Sequence, residues 1–475
     1  MINSLLPSSQ AAFPRHLLRG MLTASCLAAL AACGGGGGGG SSTPQLGLVT
    51  VTVKDSFGDP VPGVTVQSAN VMAHTNAQGV ALVSTSSPDS TETVTLSRDS
   101  FVATSVQISS TAGRVNETVI SLERATSPAG GSRATRSGVQ PVVDASGQQL
   151  SFEIELIVVD AKSQPIATLA LTDFTLRPCA PDASTPGNDC IGGASRVAGS
   201  GAAVDVAYAP VSAQPESLAW ISGAAQVPFA AAVLLDQSGS IAATDPTGAR
   251  IYSTKAFFKG LGANNQALLA AFAGAPGALI TAPPLTVYAP FRDQAMASSA
   301  YFSTLDTLAP QIGGSTPLYE SVDSLRQQIA TPTAAAAAPP SFAKAIVVFT
   351  DGADTSCTSA ENCRLSRQRT IDRARQDSVP IFTIGLSRSI DMEALGELGN
   401  QTGGAFLYAE NAQQLVSLYG SVSSLAGLSQ PTYRLRWTAA AAASGAFRSG
   451  QSLLGHVQVR VGQNNVDVPF VVDIP

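Results

Sequence analysis

Between residues 225 and 430, continuous apolar runs alternate with stretches whose apolar residues have helical spacing. Residues 229–235 form one apolar run, whereas Leu318, Val322 and Leu325 mark one face of a helix. A last amphipathic helix is expected over residues 411–427. Apolar runs of strand length separated by helices are typical of β-α-β units with parallel strands. The pattern predicts an α/β fold with a doubly wound, mostly parallel sheet.

The segment N-terminal to this region has the pattern of an all-β module. In residues 47–124, Val49, Val51 and Val53 alternate with polar residues, and turn clusters such as residues 58–63 separate the short runs. This order of strands and turns resembles the carboxypeptidase regulatory-like family. The resemblance implies a small transthyretin-like β-sandwich that acts as a spacer or stabiliser. Sugar binding is the alternative, but the segment offers no aromatic platform, because Phe57 and Phe101 are its only aromatic residues and are expected in the core.

Two further β segments bracket the central region, at residues 141–224 and 431–475. We expect them to pair into one sandwich that carries the central region as an insertion. Trp220 and Trp437 lie close to the two junctions and would suit a shared core, although each could instead lie under its own strands. Residues 125–140, which are rich in Gly, Ser and Arg, are predicted to form a linker.

Three polar clusters stand at the ends of predicted elements in residues 225–430. Asp236, Ser238 and Ser240 come after the run at 229–235, and Asp351 comes after the run that ends at Phe349. Thr316 lies in a Gly-rich loop before the predicted helix. Because the carboxyl ends of parallel strands share one edge of a sheet, we expect Asp236 and Asp351 to lie at the same edge.

Two carboxylates and three hydroxyls form a set of hard oxygen ligands without His or Cys. Such a set suits Mg²⁺, and Mn²⁺ would also fit. The ordered motifs resemble the von Willebrand factor type A domain and its metal-ion-dependent adhesion site. The resemblance implies that Ser238 and Ser240 coordinate the metal directly and that Thr316 does so directly or through water. It also implies that Asp236 and Asp351 act through water and that a partner protein's Asp or Glu carboxylate fills the open position.

The N-terminus has the pattern of an export signal followed by a tether. Arg15 and Arg19 precede a short apolar stretch, so residues 1–32 are predicted to be a secretory signal. Residues 30–33, Leu-Ala-Ala-Cys, resemble a bacterial lipobox, which implies an acylated Cys33 as the new N-terminus. Residues 33–46 would then be a Gly/Ser tether to a membrane of the cell envelope. By resemblance to other lipoproteins, Gly34 after the cysteine favours the outer membrane over the inner one. The alternative is an ordinary signal with a chance cysteine.

Export also determines how the remaining cysteines are interpreted. Cys179, Cys190, Cys357 and Cys363 form an even set in an oxidising compartment, which indicates two disulfides. Three pairings are possible, and the local ones, Cys179–Cys190 and Cys357–Cys363, close short loops. A four-thiolate zinc site is the alternative, but neither local pair has the CxxC spacing.

Composition restricts the classes of function. Lys and Arg (27) are fewer than Asp and Glu (33), so electrostatic binding to nucleic acid is not expected. His16, His74 and His456 are the only histidines, and the sequence has no HExxH, GxSxG or GxxxxGK[ST] motif.

We therefore expect a lipid-anchored envelope protein that binds a protein partner through a metal, and not an enzyme. One alternative is a scaffold subunit whose metal site holds a permanent neighbour. Another is a metal-dependent hydrolase using Asp236 and Asp351, which would need a second metal or a general base.

Overall fold

The computed structural model describes residues 47–68, 71–98, 101–112, 114–124, 134–137, 141–158, 166–178, 208–221, 228–261, 264–274, 285–288, 290–331, 338, 341–387, 390–409, 411, 414–415, 418 and 432–474. The predicted signal, Cys33 and its tether, Cys179, Cys190 and most of the helix expected at 411–427 lie outside those residues. Within them, no helix combines the length and apolar character needed to cross a membrane.

The N-terminal part consists of two small sheets that share a core. Its strands are β1 (Gly47–Asp55), β2 (Thr65–Gln67), β3 (Met72–His74), β4 (Val80–Thr85), β5 (Thr91–Ser97), β6 (Thr104–Ser109) and β7 (Val115–Leu122). One sheet has the order β4-β1-β7 and the other the order β3-β2-β5-β6. Alternate side chains of β1, including Val49 and Val51, pack with Val94 and Leu96 of β5, because successive side chains of a strand point to opposite faces.

The next segment contributes short strands that pair far along the chain. They are β8 (Ala134–Ser137), β9 (Val142–Val143), β10 (Gln149–Ile157), β11 (Phe174–Pro178), β12 (Tyr208–Pro210) and β13 (Ser217–Ile221), with one turn of 3-10 helix at Leu171–Asp173. The pattern of β10 is the alternation expected from sequence: Leu150, Phe152, Ile154 and Leu156 are buried, and the residues between them are only partly so.

The central region alternates strands and helices. The strands are β14 (Phe229–Asp236), β15 (Gln266–Phe272), β16 (Leu285–Val287), β17 (Ala343–Thr350), β18 (Ile381–Leu386) and β19 (Ala405–Ala409); the helices are α1 (Ile241–Thr244), α2 (Ala249–Lys259), α3 (Gln294–Leu308), α4 (Leu318–Ala330), α5 (Ala360–Gln376) and α6 (Met392–Gln401). Strands β14, β15, β17, β18 and β19 are parallel, and β16 is an antiparallel edge strand.

Both faces of the parallel sheet are covered. Val233 of β14 packs with Phe257 of α2 and Leu305 of α3 on one face. The adjacent Leu234 packs with Leu325 of α4 and Leu398 of α6 on the other. All eight residues of β14 are buried, which is why its sequence is a continuous apolar run rather than an alternating one. The doubly wound α/β sheet predicted from sequence is confirmed.

The C-terminal strands β20 (Thr432–Ala441), β21 (Ser452–Val461) and β22 (Asn464–Asp473) combine with those that precede the central region. Strand β10 is antiparallel to β20, with Phe152 opposite Trp437, and β11, β21 and β22 form a second sheet. Phe152 also stacks on Phe470 of β22 with 5.7 Å between the ring centroids. The segments on either side of the central region therefore share one apolar core.

A strand inside the predicted linker makes this arrangement one continuous sheet. Strand β8 pairs with β10 on one side and with β19 on the other. The order is β12-β20-β10-β8-β19-β18-β17-β14-β15-β16, with β13 added on β20 and β9 on β10, so the sheet has 12 strands. The interpretation of residues 125–140 as a linker is wrong for Ala134–Ser137. Four residues are too few to show a period, and their pairing is determined by distant strands.

The two tryptophans do not share a core. Trp437 is fully buried, whereas Trp220 is 37% exposed and packs edge-on against Tyr433 with 4.6 Å between the ring centroids. Trp220 lies on β13, which pairs with β20 along the edge that β10 does not occupy. Strand β13 is therefore at the margin of the sheet, which explains the exposure of Trp220.

Candidate metal site

The predicted site residues of two motifs lie at the carboxyl edge of the central sheet. Asp236 is the last residue of β14, and Asp351 follows directly after β17. These strands are parallel neighbours, with Leu235 opposite Phe349. Both aspartates are fully buried. The structure therefore brings together the two carboxylates that sequence reasoning placed at one edge.

The first motif is a turn held by Asp236. Its Oδ1 accepts a hydrogen bond from the Ser238 amide at 2.8 Å, and its Oδ2 accepts one from the Thr350 hydroxyl at 2.6 Å. Burial raises the pKa of Asp236 to about 6, against the opposing effect of these hydrogen bonds. The side chain is thus held in one orientation from two neighbouring strands.

A chain of hydroxyls connects the first motif to Asp351. The Ser238 and Ser240 hydroxyl oxygens are 3.2 Å apart, and the Ser240 hydroxyl donates to Asp351 Oδ1 at 2.8 Å. The Thr244 hydroxyl, at the end of α1, donates to Asp351 Oδ2 at 2.5 Å. Both oxygens of Asp351 are therefore oriented by hydroxyls that lie one helical turn apart, since residues four apart share a face of a helix.

The Gly-rich loop that carries Thr316 is joined to this turn through its backbone. The Gly239 amide donates to the Gly314 carbonyl at 3.1 Å, and the Gly313 amide donates to the Gln237 carbonyl at 2.8 Å. Gly314 has a φ of +85°, and a Cβ atom there would lie 1.6 Å from the carbonyl oxygen of Gly274. A side chain at position 314 would push the loop away from the sheet edge, so glycine is required.

Thr316 is buried beside the loop that follows Asp351. Its amide donates to the Thr355 hydroxyl at 2.8 Å, and its carbonyl accepts from the Thr355 amide at 3.0 Å. The structure thus links four of the predicted residues, Asp236, Ser238, Ser240 and Asp351, through side-chain or local hydrogen bonds. The fifth, Thr316, is held at the same edge through its backbone.

Sequence reasoning missed several residues that support the site. Thr350 orients Asp236 and Thr244 orients Asp351, and the residues of these pairs are 114 and 107 positions apart in the chain, so spacing along the sequence does not indicate either contact. The buried Arg250 has no sequence signal either. Its guanidinium donates to Asp245 Oδ2 at 3.0 Å and to Gln237 Oε1 at 2.6 Å. Gln237 belongs to the turn that follows Asp236.

The two serine hydroxyls have a spacing that is compatible with a small divalent cation. An octahedron with metal–oxygen distances of about 2.1 Å has edges of about 3.0 Å. The Ser238 and Ser240 hydroxyl oxygens, which are 3.2 Å apart, are close to one such edge, and the 2.8 Å between Ser240 and Asp351 is the length of an ordinary hydrogen bond. Over the part of the chain that the structure describes, no group of three or more His, Cys, Asp or Glu side chains is placed to hold a metal. A cation at this edge would depend on the hydroxyls.

A disulfide lies beyond Asp351, on the loop that leads to α5. Cys357 and Cys363 are bonded, with 5.2 Å between their Cα atoms, as the local pairing predicts. Cys363 lies in the first turn of α5, whose N-cap, Ser359, accepts a hydrogen bond from the Asn362 amide. The other predicted pair, Cys179 and Cys190, lies outside the described residues.

Comparison with known proteins places the central region in a family. Residues 232–421 match the von Willebrand factor type A domain. Among the curated proteins no sequence matches the chain.

Solved structures resemble parts of the chain at low identity. A von Willebrand factor type A protein from Catenulispora acidiphila is 13% identical, with a TM-score of 0.35 over 56% of this chain and 75% of its own. The pilus adhesin SpaC from Lactobacillus rhamnosus GG is 12% identical, with a TM-score of 0.33 over 56% of this chain and 48% of its own. Proximal thread matrix protein 1 from the mussel byssus, with a zinc-occupied MIDAS motif, is 16% identical, with a TM-score of 0.33 over 44% of this chain and 49% of its own.

The chain thus spans about half the length of the last two proteins. The sequence match and the doubly wound sheet agree on the same region. Residues 232–421 are a von Willebrand factor type A domain.

Proposed function

We propose that this chain binds a protein partner through a divalent cation held at the carboxyl edge of the central sheet. The observation that supports the proposal is the convergence of Asp236, Ser238, Ser240 and Asp351 at one edge of the sheet, where hydrogen bonds connect their side chains and the Ser238 amide. Ser238, Ser240 and Thr316 would hold the cation, with Asp236 and Asp351 acting through water. The all-oxygen set favours Mg²⁺, with Mn²⁺ as the second choice.

The chemistry of the residues favours capture of an external acid. When bound, the cation would supply an open position for a carboxylate oxygen. Neutral hydroxyls leave most of the cation's charge uncompensated, and the largest local charge dominates the field of such a site. Ser240 is exposed whereas Asp236 and Asp351 are buried. Of the three hydroxyl residues, Ser238 and Thr316 are buried, so a partner's Asp or Glu would approach from the side of Ser240.

The cellular setting is part of the same proposal. An acylated Cys33 would hold the chain on a membrane of the cell envelope, with the outer membrane favoured by Gly34. The Gly/Ser segment at 33–46 would act as the tether. Export to an oxidising compartment agrees with the Cys357–Cys363 disulfide. Mass spectrometry of the chain extracted from membranes tests this part, because an acylated N-terminal Cys33 has a mass that an ordinary cleaved signal cannot produce.

Calorimetry on the purified full chain tests the metal. We expect uptake of Mg²⁺ by the native chain and an affinity at least roughly ten-fold lower in Asp351→Asn, in line with the loss of a group that orients metal ligands. Asp372→Asn, an exposed carboxylate on α5, is the matched control and should bind as the native chain does. Absence of Mg²⁺ and Mn²⁺ uptake by the native chain would overturn the proposal.

A pull-down from solubilised cell envelope tests the partner. The native chain should retain a protein in Mg²⁺ and release it on chelation, and Asp236→Ala should fail to retain that same protein. Binding, not catalysis, is proposed for the site. Hydrolysis of generic ester and phosphate substrates should therefore be the same with and without Mg²⁺.

A further inference from the structure

A groove of about 560 Å³ lies beside the metal edge, by which we mean the carboxyl edge of the central sheet at Asp236, Thr316 and Asp351. Its walls come from the first turn of α4, the loop after Asp351 and the first half of α5. Residues with different chemistry line it, among them Glu320, Asp354, Cys357, Leu365 and Arg369. A concave surface of this size next to a site that binds one side chain is suited to the residues that flank that side chain.

Hydrogen bonds connect the groove to the metal edge. Asp354, on the wall of the groove, accepts a hydrogen bond from the Tyr319 amide at 2.9 Å and so caps α4. The next residue, Thr355, is bonded in both directions to Thr316. A peptide whose carboxylate reaches Ser240 can therefore place neighbouring residues along this loop.

The walls are rigid before any partner arrives. Asp354 Oδ1 accepts hydrogen bonds from the amide and the hydroxyl of Ser356, at 2.8 and 2.6 Å. The Cys357–Cys363 disulfide joins the loop to the first turn of α5. Because a surface that is already ordered loses little freedom on binding, a weak contact in this groove can still contribute to affinity.

The charge in the groove is unevenly compensated. Arg369, on the α5 wall, uses its guanidinium on the Leu365 carbonyl and the Ser366 hydroxyl. Asp354 is committed to the hydrogen bonds of the loop. Within the described residues Glu320 has no hydrogen bond or ion pair for its carboxylate, and burial together with Asp354 raises its pKa. A cation placed in the groove would relieve both effects.

We propose that the groove receives the partner segment that flanks the metal-bound acid, and that a Lys or Arg side chain of this segment pairs with Glu320. The partner's recognition element is then an acidic residue with a basic residue close to it in sequence. This inference rests on the proposed function and adds the class of partner sequence that the site selects.

Synthetic peptides immobilised on a biosensor test the inference with the full chain in Mg²⁺. One peptide carries a single Asp in a Gly/Ser background; others add a Lys one to four residues to either side of it, or a Glu at the same places. We expect the best Asp–Lys peptide to bind roughly two- to five-fold more tightly than the Asp peptide, the range of an exposed ion pair. The gain should fall as salt is raised.

Variants of the chain separate the groove from the metal. Glu320→Gln should remove the gain from Lys and leave binding of the Asp peptide unchanged, and Glu320→Lys should transfer the preference to an Asp–Glu peptide. Glu117→Gln, an exposed acid of β7, makes the same change of charge elsewhere and should keep the preference for Lys. If the Asp peptide binds in Mg²⁺ but Lys adds nothing, or if Glu320→Gln keeps the gain, the groove inference is wrong and the proposed function stands. If no peptide binds, both are wrong.

Discussion

The hydroxyl of Thr244 donates a hydrogen bond to Oδ2 of Asp351 across 2.5 Å, while the hydroxyl of Ser240 donates to Oδ1 of the same carboxylate. Asp351 is thereby fixed between two hydroxyls of one short segment. A carboxylate held in this way would need no reorientation to bind a water of the proposed cation, so Thr244 would act as a positioning residue for that site.

We therefore predict that Thr244→Val, which keeps the shape of the side chain and removes its hydroxyl, weakens Mg²⁺ binding by roughly ten-fold. Calorimetry measures this directly. Thr307→Val on the exposed side of α3 is the control, because that hydroxyl donates only to the Ser303 carbonyl. Equal Mg²⁺ affinity in the native chain and Thr244→Val would show that Asp351 is oriented by other groups.

A second prediction concerns the buried ion pair between Arg250 and Asp245, close to the turn that follows Asp236. Arg250 and Asp245 are both at most 1% exposed, and their side chains are 3.0 Å apart. Burial raises the pKa of Asp245, and the Arg250 charge opposes that rise. Arg250→Met leaves the Asp245 carboxylate buried without its cation, so we expect a loss of about 3–5 kcal/mol in the free energy of unfolding.

Chemical denaturation followed by circular dichroism measures this loss. Arg460→Met provides the comparison, because Arg460 pairs with Asp173 at 2.8 Å but is 59% exposed. That variant should lose less than about 1 kcal/mol. Similar losses in the two variants would mean that burial of the Arg250 pair has no special importance for stability.

A third prediction follows from an excess of acid between α5, α6 and the C-terminal strands. Glu393 and Glu397 of α6 share Arg367 of α5, and Glu393 Oε1 is 3.5 Å from the Arg367 guanidinium. Burial, and then the charge of Glu397, raise the pKa of Glu393 to about 7; Asp391 and Asp473 act in the same direction, and Arg367 opposes them.

The folded state therefore binds the Glu393 proton more tightly than the unfolded state does. The stability from this proton is fully present below the unfolded pKa of about 4.5 and is lost as the pH rises to about 7. Over this whole pH range the loss is on the order of 3–4 kcal/mol, at about 1.4 kcal/mol for each pKa unit between 4.5 and 7. Glu393→Gln cannot ionise, so its free energy of unfolding should fall less between pH 5 and 8 than that of the native chain. The same pH dependence in both would contradict the assignment.

A fourth prediction concerns the contact between the N-terminal sheets and the central region. Phe57, expected in the core of its own module, is only half-buried there and instead packs on Tyr252 and Phe302, with 4.8 and 5.5 Å between ring centroids. Beside it, the buried Lys255 of α2 pairs with Asp59 and with Asp306. Phe57→Ala should loosen this contact and speed amide hydrogen exchange in α2 and in the turn around Asp59.

Leu82→Ala is the matched control, because Leu82 lies 57% exposed on the other side of its sheet. It removes a similar apolar area from the same module and should leave exchange in α2 unchanged. Exchange that is as slow in Phe57→Ala as in the native chain would show that the ion pairs of Lys255 hold the two parts together without the aromatic contact.

Some elements could not be predicted from the sequence for identifiable reasons. Helix α3 is capped by Asp293, whose side chain accepts a hydrogen bond from the Met296 amide. The helix buries Ala297, Tyr301 and Leu305 at a spacing of four residues. Small residues between these positions hide the apolar face, so no helix was expected there. Strand β8 is the opposite case, since its four residues carry no pattern at all.

The sequence by itself determined the parallel sheet and the common edge of Asp236 and Asp351, because continuous apolar runs and residues that directly follow them are local features. Only the tertiary structure decided that β8 merges the central and flanking strands into one sheet, that Thr244 and Thr350 orient the two carboxylates, and that Glu320 faces a groove beside Thr316. Each of these depends on pairs of residues far apart in the chain. Their interaction free energy arises from packing and hydrogen bonding in the folded state, which spacing along the chain does not encode.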